Sequence, residues 1–236
     1  MKSAQSVYNY SSVWAIIPVK RLHDSKQRLA HILSPSERAD LIHATFSHLL
    51  DTLAMVKPIA RVLVISVDER VLATATEKGG EVLQEKRPFS LNTAVSQAIA
   101  HATAQKATAA LILPADLPFA QPADIHALLN VAGYGRMNGV NGRLSTIVLS
   151  SDEDGTGTNA MLIPLPTPFR FQYGKCSYRK HKEEANQLGF AIETIQAVNL
   201  QFDLDTELDW QRYKKIMNNE LGIINNEVDT RSLIHN

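Results

Sequence analysis

The sequence predicts an α/β domain with a mainly parallel β-sheet and helices on both of its faces. Three apolar runs predict the centre of this sheet: Val13–Val19, residues 61–66 and residues 109–113. Each run is apolar on both sides of an extended chain, which is typical of parallel strands that are covered from above and below. Helical patterns separate the runs, and this alternation implies right-handed crossovers between parallel strands.

Capping residues predict where the helices of the first half begin. Ser34 precedes Pro35, and proline suits the first position of a helix. The four predicted helices run from Ser34 to about Met55, from Asp68 to about Gly79, from Ser90 or Asn92 to about Ala104, and from Gln121 onward.

The second half is less regular but continues the same pattern. Residues 146–150 and 160–163 are predicted strands, and the Gly-rich segment between them could be their turn. A predicted helix over residues 177–188 stops at Gly189, because glycine commonly ends helices. Two further strands are predicted near residues 191–194 and 198–202, followed by a last helix from Thr206 to about Asn218.

Length and composition indicate one ordinary globular domain. The chain has 236 residues, of which 44% are hydrophobic and 20% charged, close to average usage. We predict a domain over residues 13–221, because no repeat, low-complexity tract or linker divides it. Residues 1–12 are interpreted as a flexible N-terminal arm, and residues 222–236 as a C-terminal tail without an assigned role.

Charge and cysteine usage exclude several classes of partner. The 24 basic and 24 acidic residues cancel, so no overall field attracts nucleic acid or an anionic membrane, and we expect neither as a partner. No apolar run approaches the ~18 residues of a membrane-spanning helix. Cys176 is the single cysteine, and the N-terminus lacks the pattern of a secretory signal. We therefore expect a cytoplasmic protein without an internal disulfide.

A cationic loop follows the first predicted strand. Four cationic side chains lie within the nine residues from Lys20 to Arg28, and Lys26 is one of them. Such a loop can wrap a triphosphate, but a solvated basic loop is an equal alternative.

Acidic side chains follow two other strand-like runs. Asp116 lies between Pro114 and Pro118, where it could hold Mg²⁺ against phosphate oxygens. A turn or cap is the commoner role of an isolated aspartate. Asp203 and Asp205 alternate along an extended backbone and would face the same side, so both could meet one cation. Asp205 could instead cap the last helix.

Two segments suit an anion. The turn at residues 155–159 offers backbone N–H groups and hydroxyls, and a plain hairpin turn is the equal alternative. The helix that begins near Ser177 offers a hydroxyl and a helix N-terminus. The alternatives here are an ordinary N-cap for Ser177 and a solvent-facing position for His181. Because ligands bind beyond the carboxyl ends of strands in open α/β sheets, all these segments would converge at one edge.

This ordered series of motifs resembles the guanylyltransferases of coenzyme F420 biosynthesis, which act on 2-phospho-L-lactate, phosphoenolpyruvate or 3-phosphoglycerate. The likeness extends from about Trp14 to Trp210. It rests on Ile17-Pro-Val-Lys20, Ser25-Lys26-Gln-Arg28-Leu29-Ala30, Leu91-Asn92 with Ala94, Leu113-Pro-Ala-Asp116-Leu-Pro118, Gly155-Thr-Gly-Thr158-Asn159-Ala160, Phe171-Gln-Tyr-Gly174 with Ser177 and His181, and Phe202-Asp203-Leu-Asp205-Thr206.

The resemblance implies a single Rossmann-like nucleotidyltransferase domain that uses Mg²⁺. It also implies transfer of GMP from GTP to a small phosphorylated carboxylic acid, with release of pyrophosphate. Matched position by position, the acceptor contacts would be Thr158, Gly174 and Ser177, and the metal ligands Asp116, Asp203 and Asp205. By the shape of the loop, Lys20, Lys26 and Arg28 would meet the triphosphate and act in catalysis with Asp116, and Asn92 would contact the nucleoside.

Some features depart from the family pattern and leave alternatives open. Cys176 replaces a small or polar residue, and Lys175 adds a charge beside the acceptor site, so the acceptor stays open among the three acids. A sugar-nucleotide or molybdopterin-type nucleotidyltransferase is one alternative, although its Gly-rich first loop is absent. A non-catalytic nucleotide-binding protein is another, which the three aspartates argue against. A homodimer is one assembly that the sequence allows without deciding it.

Overall fold

The computed structural model describes residues 12–133 and 146–232. These residues form a seven-stranded sheet flanked by helices. The predicted N-terminal arm, apart from Ser12, lies outside the described residues. No helix in the described ranges is both long enough and apolar enough to cross a membrane.

The strands and helices alternate along most of the chain. The strands are β1 (Val13–Val19), β2 (Ile59–Ser66), β3 (Glu81–Gln84), β4 (Ala109–Ile112), β5 (Thr146–Ser151), β6 (Thr158–Pro164) and β7 (Ala191–Thr194). The helices are α1 (Pro35–Ala54), α2 (Glu69–Glu77), α3 (Leu91–Ala104), α4 (Pro122–Val131), α5 (Ser177–Gln187), α6 (Val198–Gln201) and α7 (Glu207–Ser232).

The predicted caps lie where helices begin. The Ser34 hydroxyl accepts a hydrogen bond from the backbone of Glu37, whose carboxylate accepts one from the Ser34 backbone in return. The side chains of Asp68 and Ser90 also accept hydrogen bonds from backbone amides in the first turns of α2 and α3. These caps satisfy amide groups that the first helical turn leaves without partners, so helix starts follow from local sequence.

The sheet is mainly parallel, as predicted. Its strand order is β3-β2-β1-β4-β6-β5-β7. Strand β6 pairs antiparallel with β4 and β5, while the other neighbours pair in parallel. Six strands therefore end at one edge of the sheet, where β6 begins. We call this the carboxyl edge.

Helices cover both faces of the sheet, and β1 shows how. Ala15 and Ile17 belong to a buried cluster that includes Phe46 of α1. Ile16 points to the opposite face, where it is buried in a second cluster with Val95 of α3. The predicted layered α/β architecture is confirmed.

Two local predictions fail. Strand β3 was not predicted, because its four residues alternate between half-buried and exposed positions over too short a length. The strand predicted at residues 198–202 is wrong, since Val198–Gln201 forms one helical turn in which the amides of Leu200 and Gln201 both donate to the Ala197 carbonyl. Leu200 alone is buried there, whereas Val198 is 72% exposed.

Helix α7 is longer than predicted. It continues through Ser232, beyond both the expected end near Asn218 and the expected start of a tail at residue 222. The segment from Glu207 to Ser232 contains no proline that would end the helix, and Gly222 does not interrupt it.

The cationic loop after β1 is anchored to the body of the domain. It contains two short 3₁₀ turns, Leu22–Asp24 and Gln27–Leu29, and each buries its leucine. Arg38 of α1, only 4% exposed, donates hydrogen bonds to the carbonyls of Ser25 (3.2 Å) and Leu33 (3.1 Å). The loop is therefore held in place, which a freely solvated basic loop would not be.

A third buried cluster joins this loop to the segment before α7. The apolar residues interdigitate beside the first turn of α1, so two segments far apart in sequence meet at the carboxyl edge. The cluster consists of Leu29, Leu33, Leu41, Phe202 and Leu204.

Candidate active site

A large cavity of about 1210 Å³ opens at the carboxyl edge. The cationic loop, the segment after β4, the β5–β6 turn, the start of α5 and the segment before α7 all contribute to its walls. The convergence predicted from the ends of the strands is therefore present in the fold.

The three predicted aspartates meet in this cavity and form what we call the acidic cluster: Asp116, Asp203 and Asp205. One carboxylate oxygen of each lies within 4.8 Å of the other two. Phe202 and Leu204 are buried in the third core cluster, and they alternate with Asp203 and Asp205. Alternation therefore directs the two carboxylates toward Asp116, as the sequence predicts.

Lys26 lies inside the acidic cluster. Its ammonium donates hydrogen bonds to the carboxylates of Asp116 and Asp205, the second at 2.7 Å, and its side chain is only 5% exposed. Burial alone would lower the pKa of Lys26, but the two adjacent carboxylates outweigh burial and hold that pKa above its ordinary value. Lys26 is thus a fixed positive charge.

The backbone of Lys26 is left-handed, with φ 51° and ψ 43°. A non-glycine residue in this conformation costs about 1–2 kcal/mol. The buried leucine turns on either side and the two ion pairs hold the residue there despite that cost. Lys26 therefore reaches the carboxylates, whereas the sequence pattern placed it against a triphosphate; its contact with the nucleotide stays a prediction.

The remaining cationic residues of the loop stay accessible. Arg28 is 76% exposed, and its guanidinium lies 3.6 Å from Asp205. Lys20 is exposed on the cavity wall. Both are available to an anionic ligand.

The acidic cluster carries more negative than positive charge. Burial raises the pKa of Asp203 to about 7, and the neighbouring charges of Asp116 and Asp205 add to this effect. Burial also acts to raise the pKa of Asp205, but Lys26 outweighs it and the pKa is lowered. Three carboxylates facing one buried ammonium favour a further cation.

The donor set fits a hard divalent cation. Carboxylate oxygens are the ligands that Mg²⁺ and related ions prefer. Such an ion would share oxygens with the Lys26 ammonium, because Lys26 already contacts two of the three carboxylates. The acidic cluster can therefore hold a divalent cation beside a fixed lysine.

The Gly-rich turn does not present its amides to a ligand. The Asp152 carboxylate accepts hydrogen bonds from the backbone N–H groups of Thr156 and Gly157, both at 2.7 Å. Gly157 has no room for a Cβ because Asp152 fills that space. These two amides are therefore not free for the anion site predicted at residues 155–159. An aspartate just before a Gly-rich turn commonly bonds its backbone, and that signal was available at Asp152.

Two hydroxyl groups beside the turn form a buried pair. Ser177 is 2% exposed, and its hydroxyl donates to Thr158 Oγ1 at 3.3 Å. Ser177 is the first residue of α5, and Cys176 precedes it as the N-cap. The alternative that Ser177 is an ordinary N-cap is wrong.

His181 supports this pair from behind. It is fully buried, so the alternative of a solvent-facing residue is wrong. Its Nε2 accepts from the Gln172 N–H at 2.9 Å, which assigns the ring proton to Nδ1. That nitrogen then donates to Thr158 Oγ1 at 3.0 Å. Thr158 thus accepts two hydrogen bonds, and its own hydroxyl proton can be donated to a ligand in the cavity.

The first amides of α5 are also occupied. The Ser177 N–H donates to the Gly174 carbonyl and the Tyr178 N–H to the Thr156 carbonyl, both at 3.0 Å. These two amides are therefore not free for the predicted anion site, and a ligand there would meet the hydroxyls. Gly174, with φ 115°, adopts a conformation that side chains rarely allow.

Asn92 lies apart from the acidic cluster. Its amide donates to the Tyr173 carbonyl (3.2 Å) and accepts from the Tyr173 N–H (2.7 Å), which ties α3 to the segment before α5. Asn92 does not line the large cavity. A contact with the nucleoside stays a prediction that these bonds do not support.

Two solved structures of transferases share this fold. A nucleotide-diphospho-sugar transferase from Desulfovibrio desulfuricans, described as putative, is 14% identical, with a TM-score of 0.63 and 83% of each chain covered. A nucleotidyl transferase from Methanothermobacter thermautotroptrophicus is 13% identical, with a TM-score of 0.57, 89% of this chain and 99% of that chain covered. At these identities the likeness shows the fold.

Sequence comparison defines the family. Residues 13–217 match the family described as "Guanylyl transferase CofC like". The chain belongs to this family, which confirms the resemblance.

Relatives in the family act on different acids. A phosphoenolpyruvate guanylyltransferase of Rubrobacter xylanophilus is 36% identical, covering 85% of this chain and 93% of that protein. A 2-phospho-L-lactate guanylyltransferase of Methanothermobacter thermautotrophicus is 34% identical, covering 83% and 81%. A 3-phospho-D-glycerate guanylyltransferase of Phenylobacterium zucineum is 31% identical, covering 83% and 86%.

The state of His181 predicts a pH dependence of stability. Burial and the nearby charge of Lys180 lower the pKa of His181 to about 4, from an ordinary 6.5. Between pH 6.5 and 4 the unfolded chain therefore binds a proton at this histidine that the folded chain does not. The free energy of unfolding falls as pH decreases over this range, by about 3 kcal/mol in all. His181→Gln removes this contribution, so the gap in unfolding free energy between wild type and variant should shrink over that range.

Urea unfolding at several pH values measures this gap. His23→Gln is the matched control, because His23 is exposed, and its curve should parallel that of the wild type. A gap for His181→Gln that stays constant from pH 7 to 4 would show that His181 is not held neutral by burial.

Proposed function

We propose that this protein transfers GMP from GTP to the phosphate of a phosphorylated three-carbon acid, with release of pyrophosphate, in coenzyme F420 biosynthesis. The acid is 2-phospho-L-lactate, phosphoenolpyruvate or 3-phospho-D-glycerate, the substrates named for the relatives. One observation carries the proposal: the acidic cluster and the Thr158–Ser177 hydroxyl pair line the same cavity. The proposed phosphate-handling centre and the proposed hydroxyl site for a small anion therefore open into one cavity.

The reaction needs positioning more than acid–base catalysis. An oxygen of the acceptor phosphate attacks the α-phosphorus of GTP and forms a new P–O bond. The bond from the α-phosphorus to the bridging oxygen breaks, and its electron pair leaves with pyrophosphate. The attacking oxygen is already ionised near neutral pH, so no general base is required. The protein then contributes alignment and charge neutralisation.

Different residues would bind the acid and neutralise the charge of the triphosphate. Thr158 would donate its hydroxyl proton to the acid, with His181 fixing that hydroxyl as a donor. The Ser177 hydroxyl, which donates to Thr158 in this structure, would turn its proton toward the acid. The exposed cations Lys20 and Arg28 would neutralise the triphosphate and the leaving pyrophosphate. Gly174 would let the backbone approach the acceptor closely.

Mg²⁺ dependence is part of the proposal. Three carboxylates in a cavity repel a triphosphate unless cations offset them, and Lys26 supplies a single positive charge. Mg²⁺ held by Asp116, Asp203 and Asp205 would neutralise phosphate charge and orient the reacting groups. A complex of a structural neighbour, glucosyl-3-phosphoglycerate synthase of Mycobacterium tuberculosis, contains Mg²⁺ and UDP.

Pyrophosphate release tests the reaction class and the donor. We expect release when the protein is incubated with Mg²⁺, GTP and one of the three acids, and little release when the acid or Mg²⁺ is omitted. ATP, CTP and UTP serve as matched donors. A clear preference for CTP or UTP would instead indicate a sugar-nucleotide type of transferase, and no release with any combination would indicate a non-catalytic nucleotide-binding protein.

Asp116→Asn should abolish most turnover, because it removes a charge from the proposed cation site. We expect kcat to fall at least about 100-fold. Lys26 keeps Asp205 as a partner, so the variant should remain folded by melting temperature. Asp51→Asn is the control, because Asp51 is an exposed carboxylate that pairs with Lys78. Near-normal kcat for Asp116→Asn at saturating Mg²⁺ would refute the metal assignment.

Ser177→Ala should weaken use of the acid but not of GTP. A hydrogen bond to a charged group is worth about 1.5–3 kcal/mol, so the KM for the acid should rise roughly ten- to a hundredfold. The KM for GTP should barely change. Ser96→Ala removes an exposed hydroxyl that donates to the Asn92 carbonyl of the same helix and should alter neither value. Equal effects of Ser177→Ala on both substrates, or a loss of stability alone, would mean that Ser177 is structural.

A further inference from the structure

A second, smaller cavity adjoins the large one at the carboxyl edge. It has a volume of about 410 Å³ and lies beyond the ends of β1, β2 and β3. Its walls share Pro18, Val19, Lys20 and Leu91 with the large cavity. A ligand in the small cavity could therefore extend along Lys20 into the cavity that holds the acidic cluster.

The walls of the small cavity suit a flat ring. Half of the lining side chains are apolar, among them Val67 and Leu91, and the others are polar or charged, among them Arg21 and Arg87. Phe89 also lines the cavity and is 46% exposed, and the Arg87 guanidinium lies over its ring, with Cζ 5.0 Å from the ring centroid. A base could stack on this guanidinium or on the exposed part of the ring. Stacking on aromatic and apolar side chains is a common way of holding a nucleobase, but it does not distinguish one base from another.

Glu85 supplies a polar group that could distinguish them. Its backbone N–H donates to the Ser66 carbonyl at 2.9 Å, which fixes the residue just beyond β3. Its Oε1 accepts from the Ser90 N–H at 3.2 Å. Within the described parts of the chain, no hydrogen bond reaches Oε2, and no lysine or arginine lies within 4.0 Å of the carboxylate. Glu85 is thus a half-buried carboxylate with unused acceptor capacity on the wall of the small cavity.

The chemistry of this carboxylate selects among bases. Guanine presents two adjacent N–H donors on one edge, the ring N1–H and the exocyclic N2 amino group. A carboxylate can accept both in a bidentate arrangement. Adenine and cytosine each place an amino donor beside a ring acceptor, and uracil places one donor between two carbonyls. For these bases, one carboxylate oxygen would face an acceptor.

We infer that Glu85 reads the guanine of the nucleotide in the small cavity through the N1–H and N2 amino groups. This inference rests on the proposed use of GTP and adds the residue that determines the preference. The ribose and triphosphate would then run past Lys20 toward the acidic cluster. Burial raises the pKa of Glu85, against the opposing effects of the Ser90 N–H and Lys20, and two donors from guanine would compensate the buried charge.

Asp24 is the competing carboxylate, because it also lines the small cavity. Its side chain is 64% exposed and lies 3.6 Å from His23. It borders both cavities, which places it closer to the path of the phosphates. Asp24 therefore serves as the matched comparison.

The test compares GTP with inosine triphosphate, which keeps N1–H and lacks the N2 amino group. Wild type should prefer GTP over inosine triphosphate and ATP. Glu85→Gln, which keeps the side-chain size and the Ser90 contact, should lower kcat/KM for GTP roughly ten- to a hundredfold. It should also lower the nucleotide ratio, which is kcat/KM for GTP divided by kcat/KM for inosine triphosphate. GDP binding measured by calorimetry should weaken by a similar factor, and Asp24→Asn should leave the nucleotide ratio unchanged.

The outcomes distinguish a failure of the proposed GTP donor from a failure of the role assigned to Glu85. If wild type shows no preference for GTP, the donor assignment itself fails. If wild type prefers GTP and Glu85→Gln keeps the same nucleotide ratio and GDP affinity, the inference about Glu85 is overturned while the reaction stands. If Asp24→Asn changes the nucleotide ratio and Glu85→Gln does not, the inference about Glu85 is also overturned. Melting temperatures of both variants establish that they are folded.

Discussion

The buried ion pairs of Lys26 are the constraint on which the site depends. Lys26 bonds Asp116, 90 residues away, and Asp205, 179 residues away. A buried ammonium without its carboxylates would be strongly destabilising, so folding must bring these three segments together. The parallel pairing of β1 with β4 aligns the first two, and the burial of Phe202 and Leu204 draws in the third. The same arrangement assembles the acidic cluster.

The carboxyl edge is divided into three regions by this arrangement. The small cavity beyond β1 to β3 offers apolar side chains and the half-buried carboxylate of Glu85. The centre offers the acidic cluster and Lys26, and the region beside β6 and α5 offers hydroxyls. A nucleotide and a small acid placed in the outer regions would bring their phosphates together at the centre. The family relatives differ in the named acid.

The sequence predicted those features that local chemistry determines. The caps Ser34, Asp68 and Ser90 and the three central strands depend on neighbouring residues, and the alternation at Asp203 and Asp205 placed both carboxylates correctly. Features that depend on tertiary contacts were missed. His181 lies on a mostly polar helix, and its burial depends on packing against Phe169 and Tyr173. The insertion of Lys26 between carboxylates likewise depends on segments that sequence spacing cannot bring together, and Val198–Gln201 is too short to distinguish strand from helix.

In the proposed reaction an acceptor phosphate, and not water, attacks GTP at this site. ³¹P NMR of wild-type protein with GTP, Mg²⁺ and each acid distinguishes these two nucleophiles. We expect, with at least one acid, the coupled resonances of a mixed diphosphate that joins GMP to the acid, together with an equal amount of pyrophosphate. Formation of GDP and inorganic phosphate, or of free GMP without a mixed diphosphate with any of the three acids, would contradict the proposed reaction.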